Sequence, residues 1–225
     1  VEDSTVEVVA SLYTDDGHGQ LTGATVTAVN GVANFSGLRL IGTPGFNYVL
    51  ALDSDPLGGV TTSYVSVTHA PASQLVWQTQ PAGGNMTGED LTGQPVLLLK
   101  DQYGNLATSN NSAVVTAHIS AGVGGTLRND TATAVGGVVA FNHLQLIGTP
   151  EVGYKFNFTF SNGSTITSAD NNYSVAVTSN VATQIVLSTP AAGARAGKAF
   201  TTQPILTIKD AYGNQVKSAL ETVRQ

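Results

Sequence analysis

The stretch GVANFSGLRLIGTP at residues 31–44 returns as GVVAFNHLQLIGTP at residues 137–150, an offset of 106 residues. A second pair, QPVLLLKDQYGN at 94–105 and QPILTIKDAYGN at 203–214, recurs after 109 residues. A period of about 110 residues is too long for a solenoid repeat and matches a whole small β-domain. The chain is therefore predicted to consist of tandem copies of one domain.

The order of the shared blocks sets the domain boundaries. The block with Gln-Pro and Tyr-Gly-Asn comes early in a unit, and the block with Leu-Ile-Gly-Thr-Pro comes late. Residues 73–180 are predicted to form a complete domain. Residues 1–72 correspond to the C-terminal part of a preceding domain without its first two strands, and residues 181–225 to the first two strands of a following one.

Alternation of apolar and polar residues dominates the complete unit, and sustained helical periodicity is absent. The pattern predicts an all-β fold of tandem β-sandwiches with about seven strands each. The predicted strands of the complete unit lie near 74–79, 94–100, 113–119, 126–135, 138–146, 153–160 and 172–178.

Turn chemistry supports this assignment. Asn30-Gly31 and Gly136-Gly137 occupy the same repeat position, and both pairs accept the positive φ angles of a two-residue type I′ hairpin. Each copy of Asp-x-Tyr-Gly-Asn follows an apolar strand, so its Asp is expected to bond forward to backbone N–H groups while its Gly takes the left-handed conformation. The predicted structural turn residues are Asp101, Tyr103, Gly104, Asn105, Asp210, Tyr212, Gly213 and Asn214.

Tyr48 and Tyr154 open equivalent strands after the Thr-Pro of each repeat. Two interpretations stay open for them. Each is either a corner tyrosine, whose hydroxyl ties its strand to an upstream loop, or an ordinary half-buried strand residue.

Together, the Gln-Pro start, the Lys-Asp-x-Tyr-Gly-Asn element, the Val-Thr-Ala strand at 115–117 and the Gly-Gly hairpin resemble bacterial Ig-like domains of the invasin and intimin type. They are also similar to the Ig-like repeats of giant surface proteins and extracellular fibrils. The resemblance covers essentially the whole chain. It implies tandem immunoglobulin-like β-sandwiches with Greek-key topology and a role as spacer or display rod, and it implies no catalytic residues. The sequence departs from antibody domains in lacking the cysteine pair and in placing Trp77 on the first strand.

Composition narrows the function classes further. Charged residues make up only 11% of the chain, net charge is −6 and the nine Lys and Arg are scattered, which argues against nucleic acid as a partner. No continuous apolar run reaches the roughly 18 residues of a membrane span, so no membrane insertion is expected in this segment. Without cysteine, neither disulfides nor thiolate chemistry is available.

The sequence contains more Asn-X-Ser/Thr sequons than its Asn, Ser and Thr content predicts by chance. They are candidates for N-glycosylation, and therefore for passage through a secretory pathway. Alternation predicts that three of them, Asn34, Asn157 and Asn172, lie on strands with their side chains outward. The candidates are Asn34, Asn85, Asn110, Asn129, Asn157, Asn162 and Asn172.

The sequence contains no recognisable catalytic motif. The chain is therefore predicted not to be an enzyme, with no catalytic, cofactor-binding or metal residues. The four histidines have no metal-ligand spacing, and His118 is expected to face solvent. Three acidic pairs could supply oxygen ligands for calcium at domain ends. They do not recur between repeats, which favours solvated loops. The histidines are His18, His69, His118 and His143, and the acidic pairs are Asp15-Asp16, Asp53-x-Asp55 and Glu89-Asp90.

The function expected from these features is that of a structural subunit of an extracellular or cell-surface fibre, stalk or appendage. The alternative is an adhesin whose array displays a ligand-binding tip, with carbohydrate or a host receptor as unidentified partner. A non-catalytic accessory region of a secreted enzyme is a third reading.

Segment 1–72 is expected to expose apolar rows that include Val9, Phe35 and Leu50, and segment 183–225 to expose Ile185, Leu187, Ile205 and Ile208. Two explanations stay open. The chain is either an excerpt of a longer tandem protein or a subunit that pairs head-to-tail with itself by strand complementation.

Overall fold

A computed structural model of the chain describes residues 6–14, 19–55, 57–161, 165–167 and 174–217. In this part of the chain about half of the residues lie in strands and there is no helix, so the all-β prediction is confirmed. The chain divides into two compact units. The first unit comprises the described residues up to Ser73 together with Lys100–Ala107, and the second comprises Gln74–Leu99 together with the described residues from Thr108 onward.

The first unit contains two antiparallel sheets. One has the strand order β3-β1-β5-β6, with β7 also pairing with β5, and the other pairs β2 with β4. The strands are β1 (Glu7–Thr14), β2 (Gln20–Thr22), β3 (Thr25–Thr27), β4 (Arg39–Ile41), β5 (Asn47–Ser54), β6 (Gly58–Thr61) and β7 (Val65–Ser66).

The second unit contains a three-stranded sheet of order β13-β9-β8, a four-stranded sheet of order β12-β10-β15-β16 and the pairs β11-β14 and β17-β18. Its strands are β8 (Gln74–Thr79), β9 (Val96–Lys100, of which Lys100 belongs to the first unit), β10 (Val114–Ala121), β11 (Thr126–Arg128), β12 (Thr131–Thr133), β13 (Val138–Ala140), β14 (Gln145–Ile147), β15 (Lys155–Ser161), β16 (Thr165–Thr167), β17 (Ala182–Thr189) and β18 (Ile205–Asp210).

Strand β15 shows why this sequence forms these sheets. Phe156, Phe158 and Phe160 are buried, while the residues between them are half-buried, as the two-residue period of a strand requires. The neighbouring strand β10, which pairs with β15 in the same sheet, buries Val115 and Ala117 in the same alternation. The core of the second unit therefore lies on this face of the four-stranded sheet.

Aromatic contacts join the four-stranded sheet to the three-stranded one. The ring of Phe158 lies 5.0 Å from that of Trp77 in β8, in an edge-to-face arrangement with an interplanar angle of 86°. Phe141, which follows β13, contacts the same ring at 5.3 Å. Such edge-to-face pairs are favoured by the charge distribution of aromatic rings. Phe158 is thus at the centre of the contact between the two sheets.

Three of the predicted strands were wrong in extent. The predicted strand 126–135 is divided into β11 and β12, because Asn129 adopts a left-handed φ of 51° and the chain leaves the β14 partner for β10. The predicted strand 138–146 is divided into β13, which pairs with β9, and β14, which pairs with β11. Of the predicted strand 172–178, Val175 and Thr178 form only isolated bridges, and 172–173 lie outside the described residues.

The two type I′ hairpins are confirmed. Asn30 and Gly31 have φ of 53° and 76°, and Gly136 and Gly137 have 59° and 78°. The flanking residues exchange backbone hydrogen bonds of 2.9 and 3.1 Å in the first copy and 2.8 and 3.0 Å in the second. The repeat thus keeps one turn geometry with two different residue pairs.

The exposure expected in the first unit is only partly observed. Val9 is 41% exposed and Phe35 is half-buried. Leu50, in contrast, is buried, so that expectation was wrong. Leu50 lies two residues from the buried Tyr48 on the inward face of β5, and this end of the face is covered.

Candidate functional site at the repeat junction

Each copy of Asp-x-Tyr-Gly-Asn forms one compact loop, here called the junction loop (101–105 and 210–214). In the first copy, Oδ1 of Asp101 accepts hydrogen bonds of 2.9 Å from the backbone N–H groups of Tyr103 and Asn105. Gly104 has a φ of 85°, which a residue with a side chain rarely adopts. The loop at 210–214 repeats the two hydrogen bonds at the same 2.9 Å and the positive φ at 84°.

The aspartate of each junction loop is fully buried. Its second oxygen, Oδ2, accepts the backbone N–H of Ala70 in the first copy and of Asn180 in the second, both at 2.9 Å. Burial alone would raise the pKa of Asp101 and Asp210, but the backbone and asparagine hydrogen bonds outweigh it and hold the pKa of both below 3.8. Each carboxylate therefore fixes the linker that enters its repeat.

The asparagine of the junction loop reaches the Gly-Thr-Pro turn of the preceding repeat. Asn105 Nδ2 donates to the carbonyl oxygen of Gly42 at 3.3 Å. Asn214 Nδ2 donates to the carbonyl oxygen of Gly148 at 3.2 Å. In each unit, this hydrogen bond joins two residues that are far apart in the sequence. The separation is 63 residues in the first copy and 66 in the second.

Further contacts reinforce this junction in the second unit. Asn180 Nδ2 donates to the carbonyl oxygen of Thr87 at 2.9 Å, and Lys217 pairs with Glu151 at 2.8 Å. Tyr212 packs so closely on Gly88 that a Cβ there would lie 2.0 Å from its hydroxyl oxygen. Only glycine fits at position 88 without displacing the tyrosine.

Both corner tyrosines tie their strands to an upstream loop, as the first of the two interpretations expects. Tyr48 and Tyr154 are buried, and their hydroxyl oxygens accept the N–H of Thr43 and Thr149, each at 2.8 Å. The Tyr154 hydroxyl also donates to the carbonyl oxygen of Val123 at 3.1 Å.

Glycines make room for the corner tyrosines. A Cβ on Gly148 would lie 2.7 Å from the Tyr154 ring, and one on Gly42 would lie 2.7 Å from the Tyr48 hydroxyl. The same glycines present the carbonyls that the junction asparagines bind. The corner tyrosine therefore positions the turn that receives the junction loop.

The sequons fall in different environments. Asn34 and Asn129 are exposed, while Asn85, Asn110 and Asn157 are half-buried. Asn157 lies on β15 as predicted, but its Oδ1 is buried without a partner. Asn34 lies outside any strand, so its predicted strand position was wrong. Asn162 and Asn172 lie outside the described residues.

Several sequons already use their amide groups within the fold. Asn129 Nδ2 donates to the carbonyl of His143 at 2.9 Å, and Asn85 Nδ2 donates to the carbonyl of Asp90. Asn110 Oδ1 accepts the N–H of Ala113 at 3.1 Å. Asn34 combines exposure with a side chain for which the structure shows no such bond.

The acidic and histidine candidates do not converge in the described part of the chain, where no group of three or more His, Asp and Glu side chains comes together. Asp90 is engaged by His143 at 2.7 Å and Gln145 at 2.9 Å, and these bonds, first that from His143, lower its pKa. His118 is exposed, as expected, and contacts Thr159. Asp53 and Asp55 are exposed, and Asp15, Asp16 and His18 lie outside the described residues.

An open cavity of about 430 Å³ lies beside His143. It is lined by polar side chains including Asn129, Thr131 and Asn142, and its one aromatic, Phe141, is only 2% exposed. It therefore lacks the exposed aromatic platform expected of a carbohydrate site.

The junction loops are turns, as the sequence predicts, but their longer-range contacts were not predicted. The available signal was that Asn105 and Asn214 recur together with Gly42 and Gly148, each pair separated by a similar distance along the chain. A single copy of the repeat would not have shown this.

No protein-family model matches the chain, and no curated protein is detectably similar to it. Within the described residues, no helix has the length and apolar character needed to cross a bilayer. The repeat and the junction contacts are therefore the features of the molecule that point to a function.

Proposed function

We propose that the chain is a structural component of an extracellular fibre, stalk or surface appendage built from tandem Ig-like β-sandwiches. In this proposal residues 73–180 form a complete sandwich, residues 1–72 the later part of another, and residues 181–225 the first two strands of a third. The role is mechanical and steric, and the chain carries no turnover chemistry.

The aromatic core supports the sandwich assignment. Phe158 of the four-stranded sheet meets Trp77 of the three-stranded sheet, as expected where two sheets pack face to face. The corner tyrosines add a feature typical of Greek-key sandwiches. Tyr48 and Tyr154 occupy equivalent positions of the repeat, which favours one domain type used more than once.

The observation that carries the proposal is the recurrence of the junction. In both copies a buried aspartate binds the entering linker, and an asparagine binds a turn of the preceding repeat. A hydrogen-bonded loop that recurs with the same contacts in both units is expected of a regular tandem array, which is the architecture of a fibre or stalk.

The surface composition fits an extracellular role. Charged residues are sparse at 11%, and the chain has seven sequons, of which Asn34 and Asn129 are exposed. Glycans at such sites would keep an array of apolar-cored domains soluble. We therefore place the protein outside the cell or on its surface, with itself as its first partner.

Immunogold electron microscopy of intact source cells, with antibodies raised against the chain, tests this function. We expect gold particles along thin surface appendages, and glycopeptides containing Asn34 in mass spectra of the purified material. Preimmune serum is the matched control. Labelling confined to the cell interior, or to isolated compact particles, would contradict the proposal.

A further inference from the structure

The larger sheet of each unit ends in a short strand that is paired on one side. In the order β3-β1-β5-β6 this end strand is β3 (Thr25–Thr27), and in the order β12-β10-β15-β16 it is β12 (Thr131–Thr133). In the described part of the chain, neither strand pairs with a second strand on its outer side. Such a sheet edge carries backbone N–H and C=O groups that can pair with another chain. β3 and β12 are here called the edge strands.

The hydrogen bonds that flank β12 show which of its backbone groups face outward. Both bonds run toward β10: the N–H of Ala134 donates at 2.8 Å, and the carbonyl oxygen of Asp130 accepts at 2.7 Å. Bonded pairs alternate along an antiparallel ladder. The backbone groups of Ala132 therefore point toward β10, whereas the N–H and C=O groups of Thr131 and Thr133 point away from it.

The same geometry recurs in β3. Its flanking bonds toward β1 measure 2.8 Å at the N–H of Ala28 and 2.7 Å at the carbonyl oxygen of Ala24. By the same alternation, the backbone groups of Thr25 and Thr27 point away from β1. The threonines of both edge strands are exposed. An outward-facing Thr-x-Thr edge is therefore a feature of the repeat.

Open space lies beside β12. The cavity of about 430 Å³ is lined by Thr131, Ala132 and Thr133 of this strand and by residues that include 140–143. Open space therefore adjoins each residue of the strand.

The edge strands lack the features that usually protect a sheet edge. Proteins block such edges with lysine, proline, bulges or inward-pointing charges. Neither Thr25–Thr27 nor Thr131–Thr133 contains a charged residue or a proline, and their registers with β1 and β10 run without a bulge. Only their short length, three residues each, limits the strength of a contact.

The sequence of β12 also suits pairing with a copy of itself. Thr-Ala-Thr reads the same in both directions, so an antiparallel pair about a two-fold axis at Ala132 sets Thr131 opposite Thr133 of the second copy. Residues opposed in this way can exchange both of their backbone hydrogen bonds. Asp130 then lies opposite Ala134 of the second copy, so no like charges face each other.

We propose that β12 of one copy of this chain pairs antiparallel with β12 of a second copy, joining their sheets side by side. Interfaces in which both partners use the same surface are the commonest type in soluble homo-oligomers. β3 offers the same contact in the first unit. Several such contacts along an array reinforce one another, which offsets the small number of hydrogen bonds in each. The inference rests on the proposed function, because it names the partner that would hold neighbouring arrays together laterally.

Disulfide trapping of Ala132→Cys tests the pairing directly. Because the chain has no cysteine, an introduced thiol can form a disulfide only with a second copy. Cα atoms of a non-hydrogen-bonded antiparallel pair lie about 4.5 Å apart, within the range that a disulfide spans. The full 225-residue chain is made in a host that attaches no N-glycans and is oxidised mildly. Ala132→Cys should form a disulfide-linked dimer about tenfold faster than Val123→Cys, because pairing raises the effective concentration of the thiols.

Val123→Cys is the control for chance collision, since Val123 is 86% exposed and lies outside the edge strands. Two further variants are made in the Ala132→Cys background. Thr133→Pro removes an N–H that points away from β10, so the fold loses no ladder bond, and it should lower the rate of dimer formation to that of Val123→Cys. Thr133→Ser keeps this N–H and should react like Ala132→Cys alone.

Equal rates for Ala132→Cys and Val123→Cys would overturn the pairing, as would a Thr133→Pro variant that cross-links as fast as Thr133→Ser. Circular dichroism shows whether the proline variant keeps its β-structure, and the comparison of the two single-cysteine variants holds without it. None of these outcomes would overturn the proposed function, which is tested on native appendages.

Discussion

At the scale of single residues, the buried aspartate of each junction loop accepts several backbone hydrogen bonds with one carboxylate. Asp210 accepts from the backbone N–H groups of Asn180, Tyr212 and Asn214. Asp210→Ala leaves these donors without their acceptor, and a buried unsatisfied donor costs about 1–3 kcal/mol. We expect the free energy of unfolding of the second unit to fall by about 2–3 kcal/mol, as measured by urea denaturation.

The same aspartates predict an acid limit to stability. Because the pKa of Asp101 and Asp210 is lower in the folded chain than the ordinary 3.8, the unfolded chain binds protons first as pH falls. Their contribution is therefore fully present above pH 3.8 and is lost as pH falls through the lowered pKa. This part of the acid destabilisation should be absent from the double variant Asp101→Ala/Asp210→Ala and retained in the exposed control Asp55→Ala. An unchanged acid profile in the double variant would show that the junction carboxylates do not contribute.

Residue-level prediction from sequence worked where the interaction is local. The forward hydrogen bonds of Asp101 span two and four residues, and the sequence Asp-x-Tyr-Gly-Asn is sufficient to indicate them. The bond from Asn105 to Gly42 spans 63 residues, and no local pattern encodes that distance. The burial of Asn157 Oδ1 was likewise invisible, because alternation predicts a face and not how crowded that face is.

At the scale of elements, the two hairpin turns provide a comparison within one chain. Asn30 occupies in the first copy the position of Gly136 in the second, with φ of 53° and 59°. Asparagine tolerates the left-handed region, whereas most side chains lose about 1–2 kcal/mol there. We expect Gly136→Asn to change the free energy of unfolding by less than about 0.5 kcal/mol and Gly136→Val to lower it by about 1–2 kcal/mol.

The space around Gly136 makes this comparison specific. A Cβ at Gly136 would meet no atom within 4 Å, so the comparison of the two substitutions measures mainly their backbone preference. Urea denaturation of the two variants side by side measures the difference. Equal destabilisation by Asn and Val would show that the turn conformation is not what limits stability at this position.

Element boundaries were harder to predict than element type. Strands β8, β9 and β10 begin within two residues of their predicted positions because each is a single apolar run. The run 126–135 looked continuous, yet the left-handed Asn129 lets β11 pair with β14 and β12 with β10. Alternation continues through such a change of sheet, so periodicity alone cannot locate it.

At the scale of the whole molecule, equivalent blocks of the repeat have different structure according to their partners. Residues 138–140 form a strand beside β9, while their counterparts at 32–34 do not. The repeat offset alone is enough to indicate the shared hairpin turns, because both copies carry residues that tolerate positive φ. The strand at 138–140 depends in addition on its β9 partner, which no pattern within those three residues specifies.

The sparse charge of the molecule leads to a final prediction. In the described part of the chain the ion pairs are His143 with Asp90 and Lys217 with Glu151, and the side chains of both pairs are exposed. Exposed pairs contribute about 0–1 kcal/mol and are screened by salt, so stability must come mainly from apolar burial. Lys217→Ala should lower the free energy of unfolding by less than about 1 kcal/mol.

Sodium chloride should barely move the urea midpoint, whereas sodium sulfate, which strengthens apolar burial, should raise it. A midpoint that falls steeply with sodium chloride would instead assign the stability to electrostatic attraction.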